Sequence, residues 1–137
     1  MILMDGSMGN ELLIRRSDLV SGLWSAQYLV DAPEVVKEVH LEYINSGADL
    51  IITNTYSTIP SYLSKKNAED KMPELIRLAG KLAREAVKDS KKEVIVAGSL
   101  PPLEESYRPD LVIDEEEAVP IYETLEKELT PYVDIFI

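Results

Sequence analysis

Gly47-Ala48-Asp49-Leu50-Ile51-Ile52-Thr53 is the stretch on which the reading of the fold turns. A glycine tolerates the positive φ that ends a helix, and the unbroken apolar run behind it is too short for another. Such a run, bounded by turn signals, reads as a strand buried on both faces, as in a parallel sheet. The residues before it are helical in pattern, with Val36, Val39, Tyr43 and Ile44 on one face. Asp31-Ala32-Pro33-Glu34 offers a capping-box-like start, with Asp31 as the cap.

Outward from this helix–strand unit the alternation continues. Ile2-Leu3-Met4, Val94-Ile95-Val96-Ala97 and Val133-Asp134-Ile135-Phe136-Ile137 read as three further strands, parallel and interior. Residues 73–88 carry Leu75, Leu78, Ala79, Leu82 and Ala86 on one helical face. Another helix starts near Asp114, where Glu115, Glu116 and Glu117 meet the positive end of the helix dipole, and it carries Ile121, Leu125 and Leu129. Pro120 implies a kink or a later start. Strand–helix repetition of this kind is α/β with βαβ units. An open doubly wound sheet and a (β/α)8 barrel both fit; a barrel needs about 250 residues, so four strands in 137 residues would be half of one.

Composition narrows the function. Lys and Arg number 14 against 25 Asp and Glu, a formal net charge of −11, which argues against nucleic acid. No apolar stretch is long enough for a membrane span and no signal-peptide pattern opens the chain, so a soluble, cytoplasmic protein is expected. Zero cysteines exclude disulfides, thiolate zinc sites and a cysteine nucleophile within this chain.

Candidate chemistry gathers after the strands, where parallel α/β folds bind ligands. Asp5-Gly6-Ser7-Met8-Gly9 follows the first strand. Its glycines let N–H groups face an anion while Asp5 supplies a carboxylate, together a match for a zwitterionic amino acid; the plainer reading is a β-turn with an Asx contact. Thr53-Asn54-Thr55-Tyr56 ends the second strand, as a lining of the same mouth or as a polar strand cap. Gly98-Ser99 ends the third, with Tyr107 and Arg108 in the following Pro-rich loop set either to cover a pocket or to lie in solvent. Residues 5–30 and 99–113 read as long irregular insertions. His40, the only histidine, reads as a structural residue at the edge of its helix's core-facing stripe. Trp24 reads as packing under the first loop, with shielding of a substrate as the alternative.

These segments together resemble the homocysteine S-methyltransferase family. The matching phrases are Met4-Asp5-Gly6-Ser7-Met8-Gly9-Asn10-Glu11-Leu12, Leu23-Trp24-Ser25-Ala26, Val39-His40-Leu41-Glu42-Tyr43, Gly47-Ala48-Asp49, Thr53-Asn54-Thr55-Tyr56 and Ala97-Gly98-Ser99-Leu100-Pro101-Pro102. The resemblance implies a (β/α)8 TIM barrel of which residues 1–137 are one domain piece, the first four β/α units. It implies methyl transfer from a donor to the thiol of homocysteine, giving methionine. It also implies substrate binding by Asp5, Gly6, Ser7, Met8, Gly9, Asn54, Thr55 and Tyr56, and Trp24, Gly98 and Ser99 are expected to join them. The family binds zinc through three cysteines; this chain has none, so no zinc is expected on it and it reads as an amino-terminal fragment inactive alone.

Half a barrel would leave open edges at its first and fourth strands, since closure is what removes edges. Self-association or pairing with a carboxy-terminal half-barrel follows as an expectation. The alternative function is a non-catalytic, self-assembling half-barrel or a small amino-acid-binding module. A metal-free acid–base enzyme using Asp5 is a weaker reading, because no close carboxylate pair stands at the strand ends.

Overall fold

The computed structural model describes residues 1–19 and 22–137. Among them lie helices α1 (Met8–Arg15), α2 (Ala26–Asp31), α3 (Pro33–Asn45), α4 (Pro60–Leu63), α5 (Met72–Ser90) and α6 (Glu115–Leu129). Strands β1 (Leu50–Ile52), β2 (Ile95–Gly98) and β3 (Ile135–Phe136) form a parallel sheet in that order. Leu50 pairs with Ile95 and Ile52 with Ala97, and Gly98 pairs with Phe136. Residues 2–4 run beside β1, joined through a parallel bridge between Met4 and Leu50. The first expected strand, Ile2-Leu3-Met4, is therefore a bridged segment and not a full strand. It is nevertheless pinned: Asp49 N–H donates to the Leu3 carbonyl at 2.8 Å, and Leu3 N–H donates to Asp49 Oδ2 at 2.9 Å. Asp134 repeats the device, accepting from Val96 N–H at 2.8 Å.

The expectation of four interior strands holds for the centre and fails at the edges. Leu50, Ile51, Val96 and Ala97 are buried, whereas Ile2 is 64% exposed and Ile137 49% exposed. A strand is buried on both faces only when something covers each face, and the two edge segments lack that cover here.

Helix ends follow local chemistry. Gly47 has φ of 107°, and the α3 terminus closes with Ala48 N–H on the Tyr43 carbonyl and Gly47 N–H on the Ile44 carbonyl. The start of α3 differs from expectation. Asp31 is the last residue of α2, where its carboxylate accepts from the Gln27 side-chain amide, and Ala32 occupies the cap of α3 with Pro33 opening the helix. Residues 5–30 are likewise not irregular, since they fold into α1, a 3-10 turn at Ser17–Leu19 and α2; Val20 and Ser21 lie outside the described residues. Helix α6 runs through Pro120 without ending, at a point where Glu116 and Pro120 are both exposed and the missing N–H leaves a carbonyl to water.

Helix α5 lies between α3 and α6 and also touches β2. Its buried face, Leu75, Ile76, Ala79, Leu82, Ala83 and Ala86, makes it the spine of the helical layer. Fully burying one large apolar side chain contributes roughly 1.5–3 kcal/mol, so α5 holds the sheet and its neighbours together. This frame sets residue 5 and the ends of β1 and β2 side by side. Among the described residues no helix is long and apolar enough to cross a membrane.

Candidate functional site

Asp5 is fixed from two sides. Its N–H donates to the Leu50 carbonyl at 2.9 Å, and its Oδ2 accepts from Ile52 N–H at 2.9 Å. Its other oxygen, Oδ1, is buried and has no partner among the described residues. Burial pushes the carboxyl up to about 6 from an ordinary 3.8, against the opposing pull of the Ile52 N–H. An ionised oxygen without a partner is costly, and a cation beside it would remove the cost.

Two residues on, Ser7 caps α1, its Oγ accepting from Asn10 N–H at 3.3 Å. The first N–H groups of a helix have no acceptor within the helix, and the dipole there favours an anion. Gly6, Ser7, Met8 and Gly9 bring that helix start to the same cavity as Asp5. At Gly9 a side chain is excluded by contact: a Cβ would stand 2.8 Å from Trp24 Nε1. The indole thus rests on bare backbone, at a turn where Trp24 itself takes φ of 51°.

The far wall belongs to the strand ends. Thr53 Oγ1 accepts from Ser99 N–H at 3.1 Å and stands 3.0 Å from Thr55 Oγ1, which donates to the Ser99 carbonyl at 3.0 Å. Asn54 donates its amide to the Ser25 carbonyl at 3.1 Å, and Ser57 Oγ accepts from Ala26 N–H at 2.8 Å. These bonds stitch the Trp24–Ser25 turn to the end of β1. The cavity between these walls opens to solvent, has a volume of about 320 Å³ and is lined by residues 5–9, Trp24, Ser25, Ile52, Thr53, Asn54, Tyr56 and Ser99. A seat for a cation at Asp5 and a seat for an anion at the α1 start therefore share one small volume, the arrangement an amino acid's ammonium and carboxylate require.

The model of the family described as homocysteine S-methyltransferase matches residues 2–137. The chain belongs to the homocysteine S-methyltransferase family. Homocysteine S-methyltransferase 4 of Zea mays is 41% identical over 83 residues, covering 60% of this chain and 24% of that protein. The Escherichia coli (strain K12) homocysteine S-methyltransferase is 36% identical over 108 residues, covering 74% of this chain and 35% of that one. The crystal structure of the E. coli homocysteine methyltransferase MmuM in its metallated form superposes with a TM-score of 0.83 at 31% identity, over 98% of this chain and 52% of that one. The chain thus spans about half the length of that solved methyltransferase.

Of the residues the sequence singles out, Asp5, Gly6, Ser7, Met8, Gly9, Trp24, Asn54, Tyr56 and Ser99 meet around the cavity. Two expected there are not on its lining. Thr55 is fully buried behind the wall with its hydroxyl spent on Thr53 and Ser99, and Gly98 faces Phe136, whose ring would stand 2.8 Å from a Cβ. Trp24 packs against Gly9 of the first loop, as expected, and at the same time stands at the cavity rim, 42% exposed. Tyr107 is fully exposed, and Arg108 is engaged by Asp110 at 2.6 Å. Thr53, offered with Asn54–Tyr56 as lining of the mouth, is on the lining; sequence reading missed Ser25 and Ile52 there, and Ser57 as their support, and the phrase Leu23-Trp24-Ser25-Ala26 was the available signal.

The metallated state of MmuM raises the question of a metal here. Among the described residues no group of three or more His, Cys, Asp or Glu side chains is placed to hold one. The chain has no cysteine, and His40 is fully buried in α3 with neither ring nitrogen hydrogen-bonded. These residues do not fit a zinc site.

Proposed function

We propose that residues 1–137 act as the amino-acid-binding part of a homocysteine S-methyltransferase, the first four β/α units of a (β/α)8 barrel. The parallel order of residues 2–4, β1, β2 and β3, and the likeness to about half of MmuM, support the barrel. The single observation that carries the substrate reading is the buried, unpartnered Oδ1 of Asp5 in one cavity with the start of α1.

In this reading Asp5 takes the α-ammonium of homocysteine and the N–H groups of residues 6–9 take its carboxylate. Trp24 shields the bound molecule from water, and Asn54, Tyr56 and Ser99 line the side-chain end. In the family zinc turns a thiol with a pKa of about 8.5 into a nucleophile. Because this chain's residues do not fit that ion, its own contribution is to bind and orient. The methyl donor and a carboxy-terminal half-barrel complete the partners.

A second reading, self-association, is favoured by the exposed apolar edges at Ile2, Leu3 and Met4 on one side and Ile135 and Ile137 on the other. Calorimetric titration with L-homocysteine and with its analogue lacking the amino group tests the substrate reading. Binding of L-homocysteine alone, weakened at least tenfold in Asp5→Asn, is expected from a charge-assisted bond of about 1.5–3 kcal/mol. Equal affinity for both compounds, or none for either, would overturn it.

A further inference from the structure

We propose that Ser106 is a positioning residue for Tyr56, through which the segment joining β2 to α6 sets which amino-acid side chains the cavity admits. This rests on the amino-acid-binding reading above. Tyr56 lines the cavity just beyond β1, and its phenolic oxygen lies 2.5 Å from Ser106 Oγ, fifty residues further along the chain. With Asp5 and residues 6–9 taken by the charged groups, Tyr56 belongs to the wall left for the side chain.

The ring is held on its other side as well. Tyr62 meets it edge-on with centroids 6.1 Å apart, and Lys65 Nζ stands 4.6 Å above the Tyr62 ring. Ser106 is the partner that comes from a different segment. That segment is anchored by buried Leu103 and by Tyr122, whose hydroxyl donates to the Pro101 carbonyl at 2.9 Å. Directly after Ser106 the backbone turns through Tyr107 at φ of 66°, a conformation uncommon for a bulky residue. Tyr107 gains no burial from it, being fully exposed. What the turn achieves is to send Tyr107 outward while Ser106 meets the phenol. A positive φ kept at a fully exposed residue, beside one whose side chain meets Tyr56, fits a turn that aims the neighbour.

The test uses the full chain with Ser106→Ala, Tyr56→Phe, their combination and Ser106→Thr, titrated with L-homocysteine and L-methionine. Loss of one such hydrogen bond should weaken homocysteine about fivefold in either single variant. The double variant should be no weaker than either, Ser106→Thr should match the unmodified chain, and the preference between homocysteine and methionine should change in Ser106→Ala. Unchanged affinity and preference in Ser106→Ala, or effects that multiply in the double variant, would overturn the proposal. A ligand-free readout separates it from the reading on which it rests. Chymotrypsin cleavage after exposed Tyr107 should be several-fold faster in Tyr56→Phe, because the segment has lost its tie. If the unmodified chain binds neither amino acid, the substrate reading fails; an unchanged cleavage rate would sink the pairing itself.

Discussion

Asp5 and His40 are both ionisable groups with buried, unmatched atoms, and they stand in regions that give those atoms opposite meanings. Asp5 lies at a strand end and opens on a cavity of about 320 Å³. His40 is wholly enclosed on α3, among the side chains that join that helix to the core. Burial disfavours the charged form of each, holding His40 down at about 4 and Asp5 up at about 6. A ligand can reach Asp5 and repair it. Nothing can enter beside His40, which stays neutral and serves as core.

That contrast has consequences, the largest at His40. Its ordinary value is 6.5 and its folded value about 4, so the unfolded chain binds the extra proton between those limits. The His40 contribution to stability should be complete above pH 6.5, fall by roughly 3 kcal/mol as the pH drops to 4 and then level off, with Asp5 acting in the opposite sense over part of that range. Denaturant unfolding across that range should show the loss, and His40→Leu should remove it. An equal slope in His40→Leu would place the acid sensitivity elsewhere.

Asp5 should behave in the reverse sense. Its folded value lies above its unfolded value of 3.8, so its burial costs nothing at low pH and costs most once the pH has risen through 6. The full shift corresponds to about 3 kcal/mol, which solvent in the open cavity reduces to about 1–2 kcal/mol. Asp5→Asn should therefore raise the unfolding free energy at pH 7.5 by that smaller amount while weakening amino-acid binding. A destabilised Asp5→Asn would mean that the carboxylate is structural. The smallest effect belongs to a matched charge. Arg108 is exposed and paired with Asp110, so Arg108→Ala should leave the denaturant midpoint unchanged within error.

Much of this was legible in the sequence where one chemical rule acts alone. Gly47 ends α3 because positive φ suits glycine, and the apolar run Leu50-Ile51-Ile52 forms a central strand with Leu50 and Ile51 buried. That Asp5 and the glycines after it meet at one cavity was legible because a carboxylate and bare backbone stand together after a strand. What escaped were features decided by distant contacts. Helix α1 buries only Leu12, and α2 is six residues long, too little for periodicity to show; short helices of this kind are held by packing. Asp31 carries a capping signature, yet it completes α2 because Pro33 opens α3 directly behind it. Thr55 and Gly98 sit beside lining residues in sequence, but Thr55 lies past the end of β1 with its hydroxyl turned to Thr53 and Ser99, and Gly98 faces the Phe136 ring. Helix α6 does not start after Pro120 but runs through it, because the exposed carbonyl left without an N–H can be satisfied by water.

The claim on which the rest depends is the proposal that Asp5 seats an amino acid's ammonium group. NMR titration of the Asp5 side-chain carboxyl, with Asp5→Asn for assignment and with and without saturating L-homocysteine, tests it most directly. The free chain should titrate at about 6, and the bound chain below the ordinary carboxylate value of 3.8, because a cation beside the carboxylate favours ionisation. A free carboxyl titrating near 3.8, or one near 6 that homocysteine does not move, would contradict it.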